Sequence, residues 1–192
     1  MQRWIACLLA ALLSLPVAAQ EFRIKPVAEK KLQQLPPGTL FWRVETFPAL
    51  AQAQAAAGPA SLAAEVQNKA WLFTLGPKGG ATPGGVKVAE IGPVPPLAAP
   101  EYLLRINYTG GPAGAKTSIH THPGSEAFYI LSGRLGQTTP HGTAHADAGR
   151  TMNGHGADTA MQVSSAGPEE LNALVMFVVD ATRPFSSPAK LP

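Results

Sequence analysis

From Thr39 to Val179 the chain is cut again and again by glycine and proline into short runs, most of them rich in β-branched and aromatic residues. The two punctuating residues number 19 each among 192, a density that suits many short strands joined by turns. Strands are expected over residues 39–47, 70–75, 86–91, 102–108, 116–122, 127–131, 135–138, 159–164 and 173–179, each bounded by Gly, Pro, Ser or Asn. No βαβ alternation, internal repeat or sustained heptad interrupts the series, so the pattern predicts an all-β sandwich or barrel. One short surface helix is expected over residues 49–57, where an alanine and glutamine run follows Pro48 and stops at Gly58. Residues 20–37 read as a lead-in arm closed by Pro36-Pro37-Gly38, and residues 38–192 as a single β-barrel domain, which the length fits.

The first 19 residues form their own unit and read as a signal peptide. Arg3 supplies a minimal positive region, Trp4 to Val17 an apolar run, and Val17-Ala18-Ala19 the small residues of a cleavage site before Gln20. A retained membrane anchor is the competing reading, but the run is short and closely followed by Glu21 and Arg23. Cleavage predicts a periplasmic or secreted protein with no stable membrane anchor. It also removes Cys7, the single cysteine, and with it thiol and disulfide chemistry. The formal charge of +3 then drops by one with Arg3. The remaining charges are scattered, with only Lys30-Lys31 adjacent among the basic ones, so no basic stripe for nucleic acid is present.

The chemistry concentrates in residues 114–133, GAKTSIHTHPGSEAFYILSG. Side chains alternate faces along a strand, so His120 and His122 point the same way, about 6.6 Å apart along the chain. Two imidazoles at that spacing converge on one ion at about 2.1 Å each. Pro123-Gly124 breaks the strand, and Glu126 opens the next one with a carboxylate that swings back to the same ion. Two histidines and one carboxylate on one side of a metal, with positions left open, form the facial arrangement of non-haem iron oxygenases.

These residues resemble the first motif of the cupins, in which Gly, His-x-His, Glu and a second Gly recur at fixed spacing. Gly114, His120, His122, Glu126 and Gly133 satisfy it at every position. The resemblance covers about residues 100–181. It implies a jelly-roll barrel holding one divalent metal ion per subunit, with iron, manganese, nickel, copper and zinc all used in the family. It further implies a small-molecule ligand, metal-dependent oxygenase-type chemistry or non-catalytic capture of a ligand or metal, and often a homodimer. Glu126 is then a candidate acid or base as well as a ligand.

The second cupin motif is irregular. Counting back four residues from Ser165 places Met161 where the family carries a further histidine ligand, whereas counting forward from Gly149 places Ala160 there. The backward count stays within one strand and is preferred, because loops accept insertions. Met161 then has three readings: a thioether ligand, which favours a soft ion such as Cu(I), a packing residue beside a three-ligand site, or the mark of a weakened site. His141 is expected at an exposed hairpin tip, and the face of His145 is not fixed by its neighbours. His155, between Gly154 and Gly156, is a loop residue with two readings, one in water and one reaching the barrel mouth as a ligand or proton carrier. By alternation, Phe128 and Ile130 share the face of Glu126 and make an apolar wall, while Tyr129 and Leu131 face a second sheet or a partner subunit. Trp42, Trp71 and Phe73 read as core or interface.

Overall fold

A computed structural model describes residues 21–192. The expected signal peptide, with Cys7, and Gln20 lie outside the described residues. In chain order the elements are β1 (Arg23–Leu32), β2 (Leu40–Phe47), α1 (Leu50–Ala55), β3 (Ser61–Val66), β4 (Lys69–Pro77), β5 (Val86–Ile91) and β6 (Tyr102–Gly111). They continue with β7 (His120–Thr121), β8 (Gly124–Ser132), β9 (Arg134–Thr139), β10 (Gly142–Asp147) and β11 (Thr151–Asn153). The last three are β12 (Gln162–Ser165), β13 (Leu171–Asp180) and β14 (Ser187–Pro188). The helix is a bland one, with Ala49 at its N-cap and no side-chain cap.

The barrel begins at β6. One sheet runs β6-β13-β8-β11, and β12-β9-β10 pair in the facing sheet. β7 joins that second sheet beside β12 through the His120–Met161 and Lys116–Ser164 bridges. Counted from β6 as the first of eight, the two orders are 1-8-3-6 and 2-7-4-5, two interleaved Greek keys closed into a jelly roll. β1 extends the first sheet beyond β6, and β14 pairs with β7.

The remaining strands, β3-β4-β2-β5, form a sheet of their own. It covers the outer face of the first barrel sheet, where Trp42, Val44, Trp71 and Phe73 share a core with Leu104, Ile106, Leu174 and Met176. Burying a side chain as fully as Phe73 stabilises by roughly 1.5–3 kcal/mol. Strand alternation then gives the first barrel sheet two working faces. Leu104 and Ile106 point to the added sheet, while Arg105, Asn107 and Thr109 line the barrel interior. β13 is covered on both faces, which is why it reads as a nearly unbroken apolar run, LNALVMFVVD. Tyr129 meets Trp71 at 6.0 Å on the outer face, the second-sheet contact expected for it.

Three expectations need correction. Residues 20–37 are not only an arm, since β1 pairs with β6 from Arg23 to Leu32. Its lysines, glutamate and proline are those of an edge strand that resists further pairing, and they masked it. Residues 38–192 are not all barrel, because those before β6 build the added sheet. Residues 116–122 do not form one continuous strand; only His120–Thr121 does, and the rest touches β12 at an isolated bridge.

Candidate metal centre and its cavity

His120 lies on β7, with β14 on one side and Met161 on the other. Its Nδ1 is 2.8 Å from the Ser118 carbonyl, and His122 Nδ1 is 2.6 Å from the Phe185 carbonyl. A carbonyl only accepts, so each Nδ1 carries the proton and donates, and in the neutral ring Nε2 keeps its lone pair. The residues around β14 thereby fix the tautomer of His122. His122 is buried, and burial holds its pKa down to about 4; the Phe185 carbonyl opposes that shift, and the positive charges of His120 and Arg105 add to it.

Glu126 enters from β8 and is fully enclosed. Burial pushes its carboxyl up to about 8, against a hydrogen bond from Gln137 Nε2 to Oε1 at 2.5 Å. His122 Nε2 and Glu126 Oε2 are 3.9 Å apart. With no cation beside them, both are mainly neutral near pH 7, so their approach is not an ion pair. A cation reverses that balance by favouring the carboxylate. Gly154 crosses directly over this residue: a Cβ there would lie 2.3 Å from the Glu126 carbonyl oxygen and 2.7 Å from its Cγ. Only glycine permits that approach, and Gly154 N–H donates to the same carbonyl at 2.9 Å.

Two donors that are each 2.1 Å from one ion stand at most about 4.2 Å apart. The His122–Glu126 pair meets that limit. His120 lines the same cavity, its ring centre 4.9 Å from that of His122. Among the described residues, however, no three His, Cys, Asp or Glu side chains stand together in a metal-ligand cluster. The donor chemistry therefore fits a metal, two donors meet the spacing, and the third has to close in.

Met161 faces His120 across paired backbone hydrogen bonds of 2.9 and 2.8 Å. Its side chain is buried and does not line the cavity, with Sδ 3.5 Å from Gln137 Nε2, the amide that holds Glu126. His155 stands beside His141, ring centres 5.9 Å apart, and neither lines the cavity. His145 is exposed on β10.

The cavity encloses about 510 Å³ within the barrel, inside the range of small-ligand sites. Phe128, Val163 and Val175 give it an apolar floor, while Arg105, Asn107 and the histidines supply polar groups. Ile130 shares the Glu126 face as expected, but packs in the core beneath rather than on the cavity wall. Gln137, Arg105, Asn107 and Phe185 were not singled out from sequence. Alternation carried a signal for the first three: each is a polar residue at an inward position between outward neighbours. Nothing local marks Phe185, which acts through its carbonyl.

No family model matches the chain, and no curated protein matches it. Solved structures do. A cupin superfamily protein from Desulfitobacterium hafniense is 16% identical over 40% of this chain and 68% of its own, with a TM-score of 0.36. A double-stranded beta-helix domain protein from Klebsiella pneumoniae is 18% identical over 45% of this chain and 75% of its own, TM-score 0.39. The DMSP lyase DddQ from Ruegeria pomeroyi is 20% identical over 45% of this chain and 43% of its own, TM-score 0.39. At such scores these likenesses carry none of the reasoning about the site. The strand order, with the His-x-His turn on the second barrel strand and the glutamate on the third, makes this a cupin-type fold on its own evidence.

Proposed function

We propose that this chain is an exported cupin that holds one divalent metal ion at His120, His122 and Glu126 and takes a small organic molecule into the adjoining cavity. The observation that carries the reading is the pair of imidazoles with both Nδ1 atoms committed to backbone carbonyls, beside a buried carboxyl 3.9 Å from one of them. Such pinned tautomers, and an amide such as that of Gln137 donating to the carboxylate, orient metal ligands. When bound, the ion supplies a Lewis acid at the cavity wall. The protein's own residues do the rest. Ser118 and Phe185 orient the rings, Gln137 holds Glu126, and Phe128, Val163 and Val175 keep water from the floor. Glu126 releases its proton on metal loading and is the candidate acid or base.

Oxygenase-type turnover of a small organic molecule is the leading activity. The alternative is capture of a small ligand or metal without turnover, favoured by the irregular second motif, in which Met161 stands where the resemblance implies a further histidine ligand. Oxygen consumption by metal-loaded protein with phenolics and keto acids separates the two. Uptake with any of them supports the enzyme; none across a broad panel favours the binder. The metal itself is tested by elemental analysis of purified protein and of His120→Ala and His122→Ala. Equal metal content in all three refutes the site. We carry export and a homodimer as further proposals, checked by N-terminal sequencing of exported protein and by light scattering.

A further inference from the structure

We propose that the cavity is built for a small hydroxycarboxylic acid, with its carboxylate on Arg105 and its hydroxyl on Asn107. Both side chains leave β6 on the inward face. Asn107 is only 3% exposed, its Oδ1 is enclosed without a hydrogen-bond partner, and its Nδ2 makes no hydrogen bond to another described residue. Leaving a buried amide unpaired costs about 1–3 kcal/mol. The amide nitrogen, which is not sealed off as Oδ1 is, donates to the ligand's hydroxyl or carboxylate oxygen.

Arg105 supplies the charge. Its Nε is 2.5 Å from Glu29 Oε1, an approach too poorly aligned to count as a hydrogen bond but close enough for ion pairing. Its Cζ lies over the Phe185 ring, 3.8 Å from the ring centre. Neither contact occupies the two terminal amino groups, which make no hydrogen bond to another described residue. Glu29 and Phe185 therefore fix the plane and leave the edge that grips a carboxylate in a fork. The same Phe185 ring stands 4.8 Å from the His122 ring. A ligand on Arg105 is thus placed within one aromatic ring of the imidazole proposed as a metal ligand, and its apolar part meets Phe128, Val163 and Val175. Exposed Lys116 and Glu21 line the same cavity with opposite charges, so Arg105, only partly exposed, is the charge that selects the anion.

The inference deepens the reading above, but Arg105 and Asn107 act with or without the ion. Lactate and mandelate are the probes, with phenylacetate lacking the hydroxyl and mandelamide lacking the charge. Calorimetric titration is run on metal-loaded and chelator-treated full-length protein. Expected is binding of at least one hydroxy acid, weakened about ten- to hundred-fold by Arg105→Gln, with mandelamide unaffected. Asn107→Leu removes the preference for mandelate over phenylacetate. Asn107→Asp, nearly isosteric, places a like charge in the cavity and weakens both acids while sparing mandelamide. Thermal melts verify that each variant is folded. Failure of wild type to bind either hydroxy acid, or equal affinities in wild type and a folded Arg105→Gln, overturns the proposal. Hydroxy-acid binding with this pattern in a protein that takes up no metal upholds it and refutes only the metal reading.

Discussion

Metal-free protein is expected to lose stability between pH 6.5 and 8, and Glu126 is the cause. Its pKa is raised from 4.5 to about 8 on folding, so from pH 4.5 upward the unfolded chain gives up a proton that the folded chain keeps. Stability from this group is full below the unfolded value and is lost as pH rises toward 8. His122 works in the opposite direction. Its pKa falls from 6.5 to about 4, so folded protein gains stability as pH rises from 4 to 6.5 and is unaffected above. The two offset each other up to pH 6.5. From there to pH 8 only the Glu126 contribution remains, and at about 1.4 kcal/mol per pH unit it removes about 2 kcal/mol. For a chain of this size that is roughly 4–8 °C in Tm. Urea unfolding of chelator-treated protein at the two pH values measures it, with Glu126→Gln as the control that cannot ionise. Wild type is expected to lose about 2 kcal/mol more than the variant. An equal loss in both refutes the assignment to Glu126.

Three further outcomes follow from the same contacts. Gln137→Leu removes the only hydrogen bond to the Glu126 side chain among the described residues and is expected to weaken metal binding about 10- to 100-fold, read by competition with a chromophoric chelator. Gly154→Ala forces a methyl group onto the Glu126 backbone, and is expected to cost about 1–3 kcal/mol in denaturant unfolding and to lower metal content. Met161→Leu keeps the volume of a buried side chain that does not reach the cavity, so it should cost less than about 1.5 kcal/mol and leave metal content unchanged. A large loss of metal in that variant would identify Met161 as a ligand.

Much of the barrel was legible because its strands obey one rule at a time. The runs at 102–108, 127–131 and 173–179 are rich in apolar, β-branched or aromatic residues, and each falls within a barrel strand, as those at 40–47 and 86–91 fall within strands of the added sheet. β1 was hidden by its charges, β3 by its alanines and β10 by its exposure everywhere but Ala146, since a strand paired on one edge and open to water has almost no apolar pattern to show. Nor did local pattern reveal that β2 to β5 make a separate sheet, because pairing partners far apart in sequence leave no local mark. At the site, the His-x-His turn and Glu126 were visible as a spacing. Phe185 was not, because a backbone carbonyl has no sequence signature. Gln137 was marked only by an inward position whose neighbours across the barrel sequence does not reveal.

The central claim is a metal held by this trio, and the most direct test is metal stoichiometry by elemental analysis after reconstitution and desalting. About one ion per chain is expected in wild type, with marked loss in His120→Ala, His122→Ala and Glu126→Gln, each variant folded by circular dichroism. Wild-type protein that retains no ion, or folded variants that retain as much as wild type, would contradict it.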